Sequence, residues 1–141
     1  MSKINAYINF QNGKCAEAMA FYKEILGGEL SIQIVKDSPM KEMFPAEMQG
    51  GVLHAALDGE DFSLLGSDMP DGSTEFTSGA VTLMISKNRV AEMQATFDKL
   101  AEGGSITNPV MEFYAGTMGN LKDKFGVKSG VFTDERLSAK A

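Results

Sequence analysis

Residues 12–30 read NGKCAEAMAFYKEILGGEL. Cys15, Ala18, Met19, Tyr22, Ile25 and Leu26 recur at steps of three and four, which makes one apolar stripe on a helix. Glu17, Lys23 and Glu24 face away from it. Gly27 and Gly28 follow at once, and glycine just past a helix supplies a left-handed stop. From Glu29 to Val35 the pattern alternates as in a strand, and 4–10 alternates in the same way before the helix. The order is strand, helix, Gly-Gly, strand.

The unit recurs. A shift of 75 positions carries Ala16-Glu17 onto Ala91-Glu92, Ala20 onto Ala95, Tyr22 onto Phe97, Ile25 onto Leu100 and Gly28 onto Gly103. The same shift carries Ile8 onto Leu83 and Phe10 onto Ile85. Two copies of one supersecondary unit are indicated, each too small to bury its apolar face alone. Strands are expected at 4–10, 29–37, 52–58 and 62–67, then at 80–86, 106–114, 117–122 and 127–133, with a second helix capped by Asn88 and running to about Glu102. The first strand would turn Ile4, Ala6, Ile8 and Phe10 to its helix, and the fifth would turn Val81, Leu83 and Ile85 to its own. Pro39, Pro45 and four apolar residues (Met40, Met43, Phe44 and Met48) make 38–51 a loop, either a lid or subunit contact or a segment pinned to the core. The reading is module one at 4–70, a linker at 71–79, module two at 80–133 and a polar, frayed tail at 134–141, all within one domain spanning 1–141.

The 141 residues are 43% hydrophobic, enough for a real core. A net charge of −6 with scattered basic residues argues against nucleic acid and anionic membrane. No apolar run approaches a membrane span and no signal peptide is evident, so a cytoplasmic protein is expected. The single cysteine, Cys15, lies in the apolar stripe, where burial keeps a thiol inert. His54 would be its only histidine partner. No phosphate-binding glycine motif follows a strand, and the double glycines at 27–28 and 103–104 follow helices, so no nucleotide cofactor is expected.

The fold class is α+β: two βαβββ modules, helices on the outer face, with curved mixed sheets around a shared concave cavity. Strand parity turns Tyr7, Asn9, Gln33, His54, Thr82, Met84 and Ser86 to the face away from the helices. Such a cleft is a common small-molecule site. His54 reads either as a general base or ligand donor or as a strand histidine bonded to a neighbour. Glu112 reads either as a cavity acid or base or as a solvent-facing residue on an edge strand. Asp68 reads as a turn cap.

This plan resembles the glyoxalase, bleomycin-resistance and extradiol-dioxygenase superfamily, and its PhnB-like branch in particular. The carriers are FYKEILGGEL (21–30), SPM and PAEMQ (38–49), LHAAL (53–57), SDMP (67–70), GG (103–104), NPVMEFYAG (108–116) and LKDKFGV (121–127). The resemblance implies metal ligands on the first and last strands of each module. This chain offers Tyr7, Thr82, Leu64 or Leu65, and Gly130 there, so no metal and no cofactor are expected. Tyr114 stands where the branch usually has tryptophan. The resemblance also implies a homodimer. The expected function is a metal-independent small-molecule binding protein, with Tyr7, Asn9, Gln33, His54, Thr82, Met84 and Tyr114 lining the site. The alternative is a lyase, isomerase or dioxygenase that uses His54 with Glu112 or a tyrosine, with or without a metal.

Overall fold

The computed structural model describes residues 3–68 and 80–140. The expected linker at 71–79 lies outside the described residues. The chain divides into two compact units, Met1–Phe76 and Thr77–Ala141.

Unit one runs β1 (Ala6–Asn9), α1 (Cys15–Leu26), β2 (Glu29–Ile34), β3 (Val52–Asp58) and β4 (Ser63–Ser67). Its sheet order is β1-β4-β3-β2, with β1 and β4 parallel and the other pairs antiparallel. α1 buries Cys15, Ala18, Met19 and Tyr22 against β2, β3 and β4, whose Ala55, Leu57 and Leu64 are also buried. Each large side chain so buried contributes about 1.5–3 kcal/mol. The stop works as expected. Gly28 has φ +99°, and a Cβ there would lie 2.8 Å from the Asp58 carbonyl oxygen, so only glycine fits.

Unit two repeats the plan: β5 (Leu83–Ser86), α2 (Val90–Ala101), β6 (Ser105–Phe113), β7 (Gly116–Lys122) and β8 (Lys128–Thr133), in sheet order β5-β8-β7-β6. α2 buries Val90, Met93, Thr96, Phe97 and Leu100. Gly119 lies under Phe97, so that ring can press on the β7 backbone. The strand expected to break near Pro109 is continuous but loses register on both sides of Asn108.

Several boundaries move. Ile4, expected on the helix side, precedes β1 and is 95% exposed, and Val81 likewise precedes β5 and is 62% exposed. The loop at 38–51 folds into short 3-10 turns at Lys41–Met43 and Ala46–Met48, tied by the Gln49 amide to the carbonyls of Lys41 and Phe44. Asn88 does not cap α2. The Val90 N–H is instead accepted by Glu135 at 2.8 Å, two residues past β8. The tail is therefore tied rather than frayed: Arg136 donates to the carbonyls of Phe113 and Tyr114, and Ser138 donates to Glu112.

Candidate functional site

Strand register sets the open face of unit one. Tyr7 pairs with Leu65, Leu65 with Ala56, and Ala56 with Ser31, so these four form one row across the sheet. The neighbouring row on the same face holds Asn9 with Ser67 and His54 with Gln33. The Tyr7 hydroxyl lies 3.4 Å from His54 Nδ1, with ring centroids 5.7 Å apart. Both side chains are exposed. Ser67 Oγ donates to Asn9 Oδ1 at 3.4 Å, which leaves the Asn9 amide nitrogen for another partner. Gln33 Nε2 donates to the carbonyl of Ile34. Four expected residues, Tyr7, Asn9, Gln33 and His54, thus come together in one polar patch on the side away from α1.

In unit two, Met84 pairs with Gly130, Gly130 with Asn120, and Asn120 with Asn108. The next row reads Ser86, Phe132, Met118 and Met111. Met84 is on this face as expected. Thr82 precedes β5. The helices do lie 75 positions apart, but the strands β1 and β5 lie 77 apart, because the β1–α1 connection is two residues longer than the β5–α2 connection. Met84, not Thr82, is therefore the counterpart of Tyr7.

Glu112 pairs with Thr117, on the face opposite Met111 and Phe113. Its carboxylate accepts from Ser138 and forms an ion pair with Arg136 at 3.6 Å. Tyr114 sits in the β6–β7 turn, 89% exposed, beside the Phe113 ring. Neither lies in the two rows of unit two that face away from α2.

Asp68 caps a helix rather than a turn. Its carboxylate accepts the N–H of Cys15 at 2.8 Å and that of Val52 at 2.9 Å. Burial, then the Asp68 charge, pushes the Cys15 thiol up to about 12 from 9.0. Cys15 faces the helix side of the sheet, near Gly66, while His54 faces away from it, so they form no thiol–imidazole pair.

The resemblance puts metal ligands at Tyr7, Thr82, Leu64 or Leu65, and Gly130; strand register keeps Tyr7, Leu65 and Gly130 and sets Met84 in place of Thr82. A phenol, a hydrocarbon, a thioether and a hydrogen do not fit a divalent-metal centre. The sequence reading placed Ser86 on the face away from α2 but missed Phe132, Met118 and Met111 of its row and the Asn108–Asn120 pair. The alternation Gly116, Met118, Asn120 in GTMGNLK was the available signal.

A family model described as 3-demethylubiquinone-9 3-methyltransferase matches residues 2–131. Protein YjdN of Escherichia coli is 32% identical over 137 residues, covering 88% of this chain and 90% of that protein. Protein PA1353 of Pseudomonas aeruginosa has a similar structure, with a TM-score of 0.80 at 28% identity over 95% of this chain and 99% of that one. A Bacillus cereus PhnB protein, titled a putative 3-demethylubiquinone-9 3-methyltransferase, aligns with a TM-score of 0.76 at 25% identity over 94% of this chain and 99% of that one.

Proposed function

The chain belongs to the 3-demethylubiquinone-9 3-methyltransferase family, and from that premise, with the fold it shares with glyoxalase and bleomycin-resistance proteins, we propose a metal-independent small-molecule binding protein. The observation that carries this reading is the Tyr7–His54 contact at 3.4 Å on the open face of unit one, flanked by Asn9, Gln33 and Ser67. The hydrogen bond runs either way with the His54 tautomer, and where Tyr7 donates to Nδ1 a neutral His54 carries its proton on Nε2. The patch then offers donors at His54 Nε2 and the Asn9 amide and acceptors at the Tyr7 and Gln33 oxygens. Such convergent polar groups orient a ligand. The donor chemistry at Tyr7, Leu65, Met84 and Gly130 supports independence from metal.

Methyl transfer is not part of the proposal. Both helix N-termini already face a carboxylate, Asp68 on α1 and Glu135 on α2, which leaves neither free for an anionic cofactor group. The Tyr7–His54 contact also favours a second reading, in which the pair moves a proton on a bound ligand. Loss of turnover with retained binding in Tyr7→Phe would distinguish that reading from binding alone.

The reading keeps a cytoplasmic homodimer, which the exposed Met40 and Met43 of the loop would suit. A monomer at micromolar concentration by light scattering would count against the dimer. A fragment screen by thermal shift, repeated on His54→Ala, tests the site. Compounds that stabilise the parent and not the variant support it, and equal stabilisation of both contradicts it.

A further inference from the structure

The two units place opposite chemistry on matched positions of one sheet design. By register, Tyr7, Leu65, Ala56 and Ser31 in unit one correspond to Met84, Gly130, Asn120 and Asn108 in unit two. The same strand order and pairing are thus built in unit one with alanine and leucine where unit two has asparagine and glycine. The fold does not require an amide on the inner strand β7 or opposite it on the edge strand β6, and asparagine is disfavoured in strands.

The amides are specifically arranged. Asn120 Nδ2 donates to Asn108 Oδ1 at 3.2 Å. Among the described residues no other hydrogen bond engages either side chain. Asn120 Oδ1 leans over Gly130, where a Cβ would lie 2.6 Å from that oxygen and 3.0 Å from Met84 Sδ. Glycine at 130 therefore makes the space in which the Asn120 carbonyl and the Met84 thioether converge. The pair is left with an acceptor at Asn120 Oδ1 and a donor at Asn108 Nδ2. Beside it run Phe132, Met118 and Met111, a polarisable apolar strip suited to the face of a ring.

We infer that the Asn108–Asn120 pair is a hydrogen-bonding subsite for a neutral, flat ligand that carries an N–H or O–H donor beside a carbonyl acceptor, of the lactam or cyclic-amide class. This rests on reading the chain as a small-molecule binding protein. The donor of the ligand meets Asn120 Oδ1, its carbonyl meets Asn108 Nδ2, and its ring lies on the thioether and phenyl strip.

The test uses the full chain, 15N-labelled and titrated with 2-pyridone, with toluene and benzoate as controls. The expected result is saturable movement of the Asn108 and Asn120 side-chain amide signals with 2-pyridone at millimolar concentration, and with neither control. Affinity falls about ten-fold in Asn120→Leu. Asn108→Ala, at an exposed position, gives the same weakening should Asn120→Leu fold poorly. The inference is overturned if those amides stay unmoved, if toluene or benzoate moves them equally, or if both variants bind as the parent does. Binding of 2-pyridone that moves the Tyr7 and His54 signals alone overturns the inference and leaves the binding reading standing. Failure of a broad fragment set to bind anywhere counts against both.

Discussion

Asp68 Oδ1 accepts the backbone N–H of Cys15 at 2.8 Å, across 53 positions of sequence. Its other oxygen accepts the N–H of Val52 at 2.9 Å. One carboxylate at the end of β4 thus fastens the start of α1 to the start of β3. Unit two repeats the device, with Glu135 past β8 accepting the N–H of Val90 at 2.8 Å. Neither α1 nor α2 has a side-chain cap from its own N-cap residue, so these distant carboxylates satisfy donors that would otherwise be orphaned.

Removing that carboxylate has a defined cost. Asp68→Ala strands two backbone N–H groups and lowers stability by about 1–3 kcal/mol, with Asp68→Asn in between. Urea unfolding measures this, and an unchanged midpoint for Asp68→Ala would refute the capping role.

The Cys15 thiol gives a pH signature. Its pKa rises from 9.0 to about 12 in the folded protein, chiefly through burial. Below about 9 the thiol is protonated in both states and has no effect on the balance. Between about 9 and 12 the unfolded chain releases a proton that the native state keeps, so stability falls with rising pH. Cys15→Ala flattens that slope. In the parent at neutral pH, a thiol reagent labels Cys15 at the rate of unfolding, and rapid labelling of native protein would contradict the burial.

Gly119 is predicted to tolerate no side chain. A Cβ there would lie 2.7 Å from Phe97 Cε2 and 2.9 Å from Val110 Cγ2. Both neighbours are packed between α2 and the sheet, so Gly119→Ala costs about 1–3 kcal/mol by overpacking. The midpoint of thermal unfolding reads this directly. Gly50→Ala, with open space around its Cβ position, serves as the control.

The tail works as a clasp on the β6–β7 hairpin. Arg136 donates to the Phe113 carbonyl at 3.2 Å and to the Tyr114 carbonyl at 2.7 Å, and it pairs with Glu112. Arg136→Ala is expected to speed amide hydrogen exchange around 113–116 while leaving β3 and β4 unchanged. Equal protection in parent and variant would show that the clasp is inert.

The strand–helix–strand plan was legible because its signals are local. The stripe from Cys15 to Leu26 and the Gly27-Gly28 stop needed no tertiary knowledge, and the copy in α2 kept the same 12-residue length. The polar patch was legible for the same reason, since alternation alone turns Tyr7, Asn9 and His54 one way. What failed was non-local. The caps from Asp68 and Glu135 join residues 53 and 45 positions apart. The shift of 75 hid a longer β1–α1 connection, where Asn12 and Gly13 take positive φ of 59° and 67° and have no counterpart before α2. That slip moved the counterpart of Tyr7 from Met84 to Thr82. Ile4 and Val81 were misplaced because apolar alternation runs on past the point where strand pairing stops.

The central claim is that ligands bind the Tyr7–His54 face, and one measurement tests it most directly. A fragment library is screened by NMR against the 15N-labelled chain and against a Tyr7→Phe/His54→Gln double variant. The predicted result is a set of binders that move the signals of Tyr7, Asn9, Gln33 and His54 in the parent and lose most of their affinity in the variant, whose backbone spectrum stays folded. Binders that move other residues and bind both proteins equally would contradict the claim.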